Sequence, residues 1–269
     1  MPVDLDYLAP SSVEDAVAVR ASGPSSAYLL GGTDLLPQMR SGRKSPETLI
    51  DLKRIAELHE IRENADGGLS IGAAVPLADV ETHPLVLARY PLLAECARTV
   101  GAWPLRQRAT LAGNVCNASP AADTAVALLA LDAVVNVAST SGRLAMAISE
   151  LFLGPGQTAL MPGDLVTQIV LPGAAAGFRG SYQRLSRRKG MDLATVGVLV
   201  GKRDGASASW RVALAAVAPI PLRVRAAEEL LEAKGAAAAR EAAELAVAAC
   251  RPITDLRGSA EYRREMVGV

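Results

Sequence analysis

Cysteine is scarce in this chain of 269 residues: Cys96, Cys116 and Cys250 stand far apart, and no C-x-x-C pair occurs. That spacing excludes zinc or iron–sulfur ligation by the chain's own thiols, and the odd count fits reduced cytoplasmic cysteines. Histidine is scarcer still, with only His59 and His83, too few for a histidine-based metal centre. Aromatic residues make up 3 % of the chain, which excludes the stacking platforms that bind single-stranded nucleic acid. The formal net charge is +0, so no global field steers a polyanion, and no nucleic-acid partner is expected. No apolar run is both long and uncharged enough to cross a bilayer, because Asp123, Asp132 and Glu150 interrupt the best candidates. Met1-Pro2-Val3-Asp4-Leu5-Asp6 carries acids where a secretory leader needs bases. The expectation is a cytoplasmic protein without membrane insertion.

What is present is a 50 % apolar composition built on Ala, Val and Leu, and a length that favours roughly two domains. Ser11-Ser12 followed by Glu14 and Asp15 predicts a helix through Arg20 that stops near Gly23-Pro24. Short strands are predicted over 27–30 and 48–52, with a helix over 33–39 limited by Pro37. Gly67-Gly68 predicts a hairpin between 60–62 and 69–73. Helices are predicted over 75–82, 85–100 and 123–131, and strands over 133–138 and 165–171, the last stopped by Pro172. A Gly/Ala-rich stretch over 173–177 resembles a linker. Beyond it the pattern becomes three antiparallel strands, over 180–185, 194–200 and 209–216, then helices over 226–234 and 236–250.

Two segments have the character of binding loops. Leu29-Leu30-Gly31-Gly32-Thr33-Asp34-Leu35 follows a predicted strand and is neither G-x-G-x-x-G nor a Walker loop. Thr110-Leu111-Ala112-Gly113-Asn114 lies in a run of small polar groups that extends to Asp123. Small residues let backbone N–H groups come close to a phosphate, and polar groups of this density are costly to bury without a partner. Two such loops far apart in sequence suggest one long phosphate-containing ligand gripped from two sides. Asp123 is a candidate N-cap of the next helix, and Arg184, Arg187, Arg188 and Lys189 read as a solvated basic face. No Ser–His–Asp set and no carboxylate pair can be assembled, so no catalytic residue is assigned.

In order along the chain, the first glycine loop, Leu49-Ile50-Asp51-Leu52, Ile71-Gly72-Ala73, the run from Thr110 to Asp123, the stretch from Ser186 to Val196 and Glu261-Tyr262-Arg263-Arg264 resemble the flavin-binding medium subunit of the molybdenum hydroxylases. That family includes the xanthine dehydrogenases and aerobic carbon monoxide dehydrogenases. The resemblance implies an α+β fold: an FAD-binding domain of the p-cresol methylhydroxylase type over 1–172, in two subdomains split near 55–60, and a C-terminal domain over 173–269 with a three-stranded antiparallel sheet and helices. Carried over by position, FAD contacts are expected from Leu29, Leu30, Gly31, Gly32, Thr33, Asp34 and Leu35, from Thr110, Leu111, Ala112, Gly113 and Asn114, and from Val100, Asp123, Val166 and Gln183.

Two departures stand out. Ala112 occupies the first place of a pair that is often Gly-Gly, so Gly113 is expected to be the glycine that matters for φ > 0. Gln183 stands where relatives often have Lys, and a neutral amide facing the flavin would lower its potential; replacing it with Lys and measuring the midpoint is the test.

The resemblance further implies a molybdenum-cofactor large subunit, a [2Fe–2S] small subunit, a dimer of heterotrimers, and an external electron acceptor for electrons collected at FAD. Hydroxylation would occur at the molybdenum cofactor, and the absence of cysteine clusters places the iron–sulfur ligands on another chain. It also argues against the 4-hydroxybenzoyl-CoA reductase branch, whose medium subunit carries an extra cluster-binding insertion. Two other readings stay open on the residues alone: a stand-alone flavin-dependent oxidase or dehydrogenase, and a scaffold that has lost FAD.

Overall fold

The computed structural model describes residues 5–23, 25–203 and 209–269. Its first unit comprises β1 (Asp6–Leu8), α1 (Val13–Ser22), β2 (Ser26–Leu29), α2 (Leu35–Arg40) and β3 (Thr48–Asp51). The three strands form a parallel sheet in the order β1-β3-β2. Ser12 caps α1 by accepting from the Asp15 amide at 3.1 Å, as its hydroxyl before two acids predicts.

The chain continues through β4 (Ile61–Glu63), β5 (Leu69–Gly72), α3 (Leu77–Thr82), α4 (Pro84–Arg89), α5 (Pro91–Thr99), α6 (Trp103–Arg106), α7 (Leu111–Cys116) and α8 (Asp123–Ala130). Then come β6 (Val134–Ser139), β7 (Gly142–Ala147), α9 (Ile148–Leu151), β8 (Phe152–Gly154), β9 (Gln157–Thr158) and β10 (Leu165–Leu171). An antiparallel sheet runs β4-β5-β10-β6-β7. The single helix expected over 85–100 is two, α4 and α5, because Pro91 supplies no N–H to carry the first helix onward and instead starts the second.

The last part holds β11 (Arg179–Leu185), β12 (Val196–Arg203), β13 (Ser209–Ala215), β14 (Leu222–Arg223), α10 (Arg225–Lys234), α11 (Ala239–Ala249) and α12 (Ala260–Gly268). The three expected strands pair antiparallel, and the two-residue β14 adds a short fourth at the edge. Side chains alternate between two cores. Tyr182, Leu199, Ala213 and Ala215 join the core of the N-terminal part, whereas Val196, Val212 and Leu214 pack with residues of α10, α11 and α12. This sheet therefore lies between α8 on one side and the C-terminal helices on the other. All eight residues of α8 are buried, so the helix is shared packing for both halves of the molecule. Among the described residues, no helix is long and apolar enough to cross a membrane.

Candidate functional site

A cleft of about 1040 Å³ opens where the N-terminal sheets meet the C-terminal domain. That is the upper end of the range of about 300–1,000 Å³ usual for small-ligand sites, room for a dinucleotide. Its floor is made by the two glycine loops, which touch. Gly31 sits so close to the second segment that a Cβ built on it would lie 1.9 Å from the Arg108 carbonyl oxygen. Gly32 follows at φ +69°, a conformation that favours glycine.

Thr110 forms the other side as the N-cap of α7, its hydroxyl accepting from the Gly113 amide at 3.0 Å. Ala112 and Gly113 therefore lie within a helix, and Gly113 is not among the residues with positive φ. This corrects the expectation that Gly113 is needed for φ > 0. Helical geometry accepts Ala112 without strain, and a Cβ on Gly113 would meet only the Thr110 hydroxyl, at 3.0 Å.

Hydrogen bonding leaves donors facing this floor. Among the described residues, no hydrogen bond from the backbone amides of Gly31, Gly32, Thr33 and Ala112 to the protein is present, whereas the Leu111 amide is engaged in the antiparallel bridge that joins Thr110 to Pro76. Leu111 is 0 % exposed and Ala112 2 %. The amides of Gly31, Gly32 and Thr33 are half-buried and that of Ala112 is buried, and unpaired amides on both loops suit an acceptor-rich ligand such as a pyrophosphate.

Polar side chains on α8 sharpen the wall. Thr124 donates to Asn114 Oδ1 at 2.6 Å, which leaves the Asn114 amide nitrogen free to donate toward the cleft. Asp123 opens α8 as a helical residue with no side-chain capping bond, so the N-cap expectation fails. Its carboxylate accepts from the Tyr182 phenol at 2.6 Å and lies 3.4 Å from Arg184 Nε. Burial raises its pKa above the ordinary value, an effect opposed by the Tyr182 hydrogen bond and the Arg184 charge. Burial likewise raises the pKa of Asp34, with Lys44 pulling the other way.

Of the expected contacts, Leu29, Leu30, Gly31, Gly32, Thr33, Asp34, Leu35, Val100, Thr110, Ala112, Gly113, Asn114, Asp123 and Val166 all line this one cleft. Leu111 does not: it is fully buried in the core beneath. Gln183 does not line it either. It alternates with Tyr182 along β11, so it points from the opposite face into solvent, where its amide donates to Ser181 at 2.7 Å. The Gln183 amide thus lies outside the cleft lining in this structure.

Sequence reasoning missed several cleft residues. The turn before β10 supplies Met161, Gly163 and Asp164, closed by the Met161 amide donating to Asp164 Oδ2 at 2.8 Å and tied to β2 by Tyr28 donating to the Gly163 carbonyl at 2.8 Å. The C-terminal domain supplies Arg188, Met191, Asp192, Leu193 and Arg257. The basic cluster expected on a solvated face is thus divided. Arg184 turns inward, donating to the Thr99 carbonyl at 3.1 Å and to the Asp192 carbonyl, while Arg188 is tied to the Met191 carbonyl at 2.7 Å. A run of small polar residues pointed to the second loop, whereas the stretch from Ser186 to Val196, though part of the resemblance, carries no residue pattern that marks it as a cleft wall.

Behind the second loop, Glu81 and Arg106 form a buried ion pair at 2.7 Å, and Arg106 also donates to the Val100 carbonyl at 3.1 Å. This pair pins the segment that leads into Thr110.

Comparison with known proteins agrees with the geometry. The family described as "FAD binding domain in molybdopterin dehydrogenase" matches residues 3–174, and "CO dehydrogenase flavoprotein C-terminal domain" matches residues 181–269. The chain is 37 % identical to the carbon monoxide dehydrogenase medium chain of Hydrogenophaga pseudoflava, covering 100 % of this chain and 94 % of that one. It is 30 % identical to the glyceraldehyde dehydrogenase medium chain of Sulfolobus acidocaldarius, over 100 % of this chain and 96 % of the relative. Among solved structures, a carbon monoxide dehydrogenase from Hydrogenophaga pseudoflava superposes with a TM-score of 0.93 at 37 % identity, over 100 % of this chain and 94 % of that one. Quinoline 2-oxidoreductase from Pseudomonas putida 86 superposes with a TM-score of 0.91 at 29 % identity, over 98 % of this chain and 93 % of that one.

Proposed function

From its membership of the family of FAD-binding medium subunits of the molybdenum hydroxylases, to which this chain belongs, we propose that it is the subunit that carries electrons from [2Fe–2S] clusters of a small partner subunit to an external acceptor. Substrate is hydroxylated elsewhere, at a molybdenum cofactor on a large subunit. The complex is a dimer of heterotrimers in the cytoplasm.

One observation carries this reading: two glycine loops, brought together where Gly31 meets Arg108, line one dinucleotide-sized cleft and carry backbone amides that no protein acceptor takes up. The residues fit FAD. The amides of Gly31, Gly32, Thr33 and Ala112 would hold phosphate oxygens, and Asn114 and Asp123 would take the polar groups of the rest of the cofactor. Val100 and Val166 offer apolar contact. Bound FAD supplies the redox chemistry itself. The chain's share is to bind, orient and shelter it, and no side chain of the cleft is assigned as an acid or a base. We read residues 1–172 as the FAD-binding domain, in two subdomains, and 173–269 as the second domain, which closes one wall of the cleft.

The test is to purify the protein from its native source by a tag on this chain, and to assay flavin, molybdenum and iron in the fraction. All three in one assembly support the reading. A flavin-loaded single chain that turns over its own substrate, or a colourless assembly without the metals, contradicts it.

A further inference from the structure

Asp123 and Tyr182 meet across the junction of the two halves of the molecule, at 6 % and 5 % exposure. The phenol donates to Asp123 Oδ1 at 2.6 Å. Arg184, two residues along β11 and on the same face, brings Nε to 3.4 Å from the same oxygen without making a hydrogen bond there. Both groups from the C-terminal sheet therefore converge on one oxygen of a carboxylate that lines the cleft. Thr99 of α5 also hydrogen-bonds this carboxylate, so Asp123 is held from α5 and β11 while it lines the cleft.

We propose that Tyr182 is a positioning residue of the flavin site, holding the Asp123 carboxylate turned toward hydrogen-bond donors of the cofactor. The inference rests on the reading of the cleft as the FAD site and goes beyond it by giving the C-terminal domain a part in cofactor retention. Asp123 is enclosed by Tyr182 and Arg184 from β11 and by Cys96 and Thr99 from α5. Glu95, also on α5, fixes the strand by accepting from the Tyr182 amide at 3.0 Å. Arg184 is the one cation in this set. The phenol gives the carboxylate its one close hydrogen bond from β11. Loss of the hydroxyl leaves burial less opposed, so Asp123 takes up a proton at a higher pH.

The experiment titrates FAD into the flavin-depleted protein, purified with its native partners, and follows flavin fluorescence from about pH 8 down through the ordinary carboxylate range. Tyr182→Phe is expected to bind FAD about tenfold more weakly near neutrality, the scale of a lost hydrogen bond to a charged group. Its affinity is expected to fall on acidification at a higher pH than in the parent. Asp123→Asn should bind weakly with no acid limb, and the double variant Y182F/D123N no more weakly than D123N alone. Additive losses, an unmoved pH profile, or D123N binding like the parent would overturn the inference while leaving the flavin site standing. If Y182F does not fold, Arg184→Gln reports on the same carboxylate: a profile shifted to higher pH supports the inference, and an unshifted one overturns it. A parent protein that takes up no FAD overturns the flavin reading itself, and this inference with it.

Discussion

The α-carbon of Gly31 is pressed against the carbonyl of Arg108, 77 positions further along the chain by subtraction of their numbers, and leaves no room for a methyl group between them. This contact joins the two glycine loops into one floor. In Gly31→Ala, a Cβ 1.9 Å from the Arg108 oxygen must push the loops apart. Such overpacking costs about 1–3 kcal/mol. The variant should lose FAD and melt several degrees lower, read as the flavin-to-protein ratio and by thermal unfolding. An alanine variant with full flavin would show that the loops need not touch.

The buried pair of Glu81 and Arg106 braces the approach to Thr110. Glu81→Gln leaves the guanidinium buried without its counter-charge, which costs about 3–5 kcal/mol. Denaturant titration should show a loss of that order, together with faster FAD release. A loss below about 1 kcal/mol, the level of an exposed pair, would show that water reaches Arg106.

Thr124→Val tests the orientation of Asn114. The hydroxyl that holds Asn114 Oδ1 at 2.6 Å is removed with little change of volume. FAD affinity should fall by about three- to tenfold, the scale of one neutral hydrogen bond, with the Asn114→Ala variant insensitive to the added change. Independent, additive losses in the double variant would contradict the coupling.

Asp66 supplies a pH signature outside the cleft. Its two oxygens accept from the Gly173 and Gly68 amides, each at 2.9 Å, fastening the β4–β5 turn to the chain just after β10. Those bonds hold its carboxyl below the ordinary value. A depressed carboxyl contributes stability above the unfolded-state pKa of about 4 and loses it as pH falls through the folded value. Asp66→Asn should thus be less stable than the parent near pH 7, with the gap closing under acid. A gap constant down to pH 2 would assign the effect to packing instead.

The sequence was most legible where one residue type has one use. Ser12 before two acids, the strand broken off at Pro172 and the paired glycines at 31 and 32 all appear where the chemistry of those residues puts them. Legibility failed where tertiary context decides. β7 went unseen because Gly142–Ala147 is an exposed edge strand with no apolar alternation to read. α7 went unseen because Gly113 and Asn114 are poor helix formers, held by the Thr110 cap and by burial of Leu111, Ala112 and Val115. At β11 the choice between Gln183 and its neighbours is one of strand phase, which only the paired core could fix: Tyr182 and Arg184 face Asp123, and Gln183 does not. Fourteen of the sixteen expected contacts nonetheless gather on one cleft, since Leu111 and Gln183 alone fall outside its lining.

The most direct measurement is an experimental structure of the FAD-loaded protein. The account predicts a single FAD in the cleft, with phosphate oxygens within hydrogen-bond distance of amides from both Gly31–Gly32–Thr33 and Ala112. An FAD held by one loop alone, or bound away from the Gly31–Arg108 contact, would contradict it.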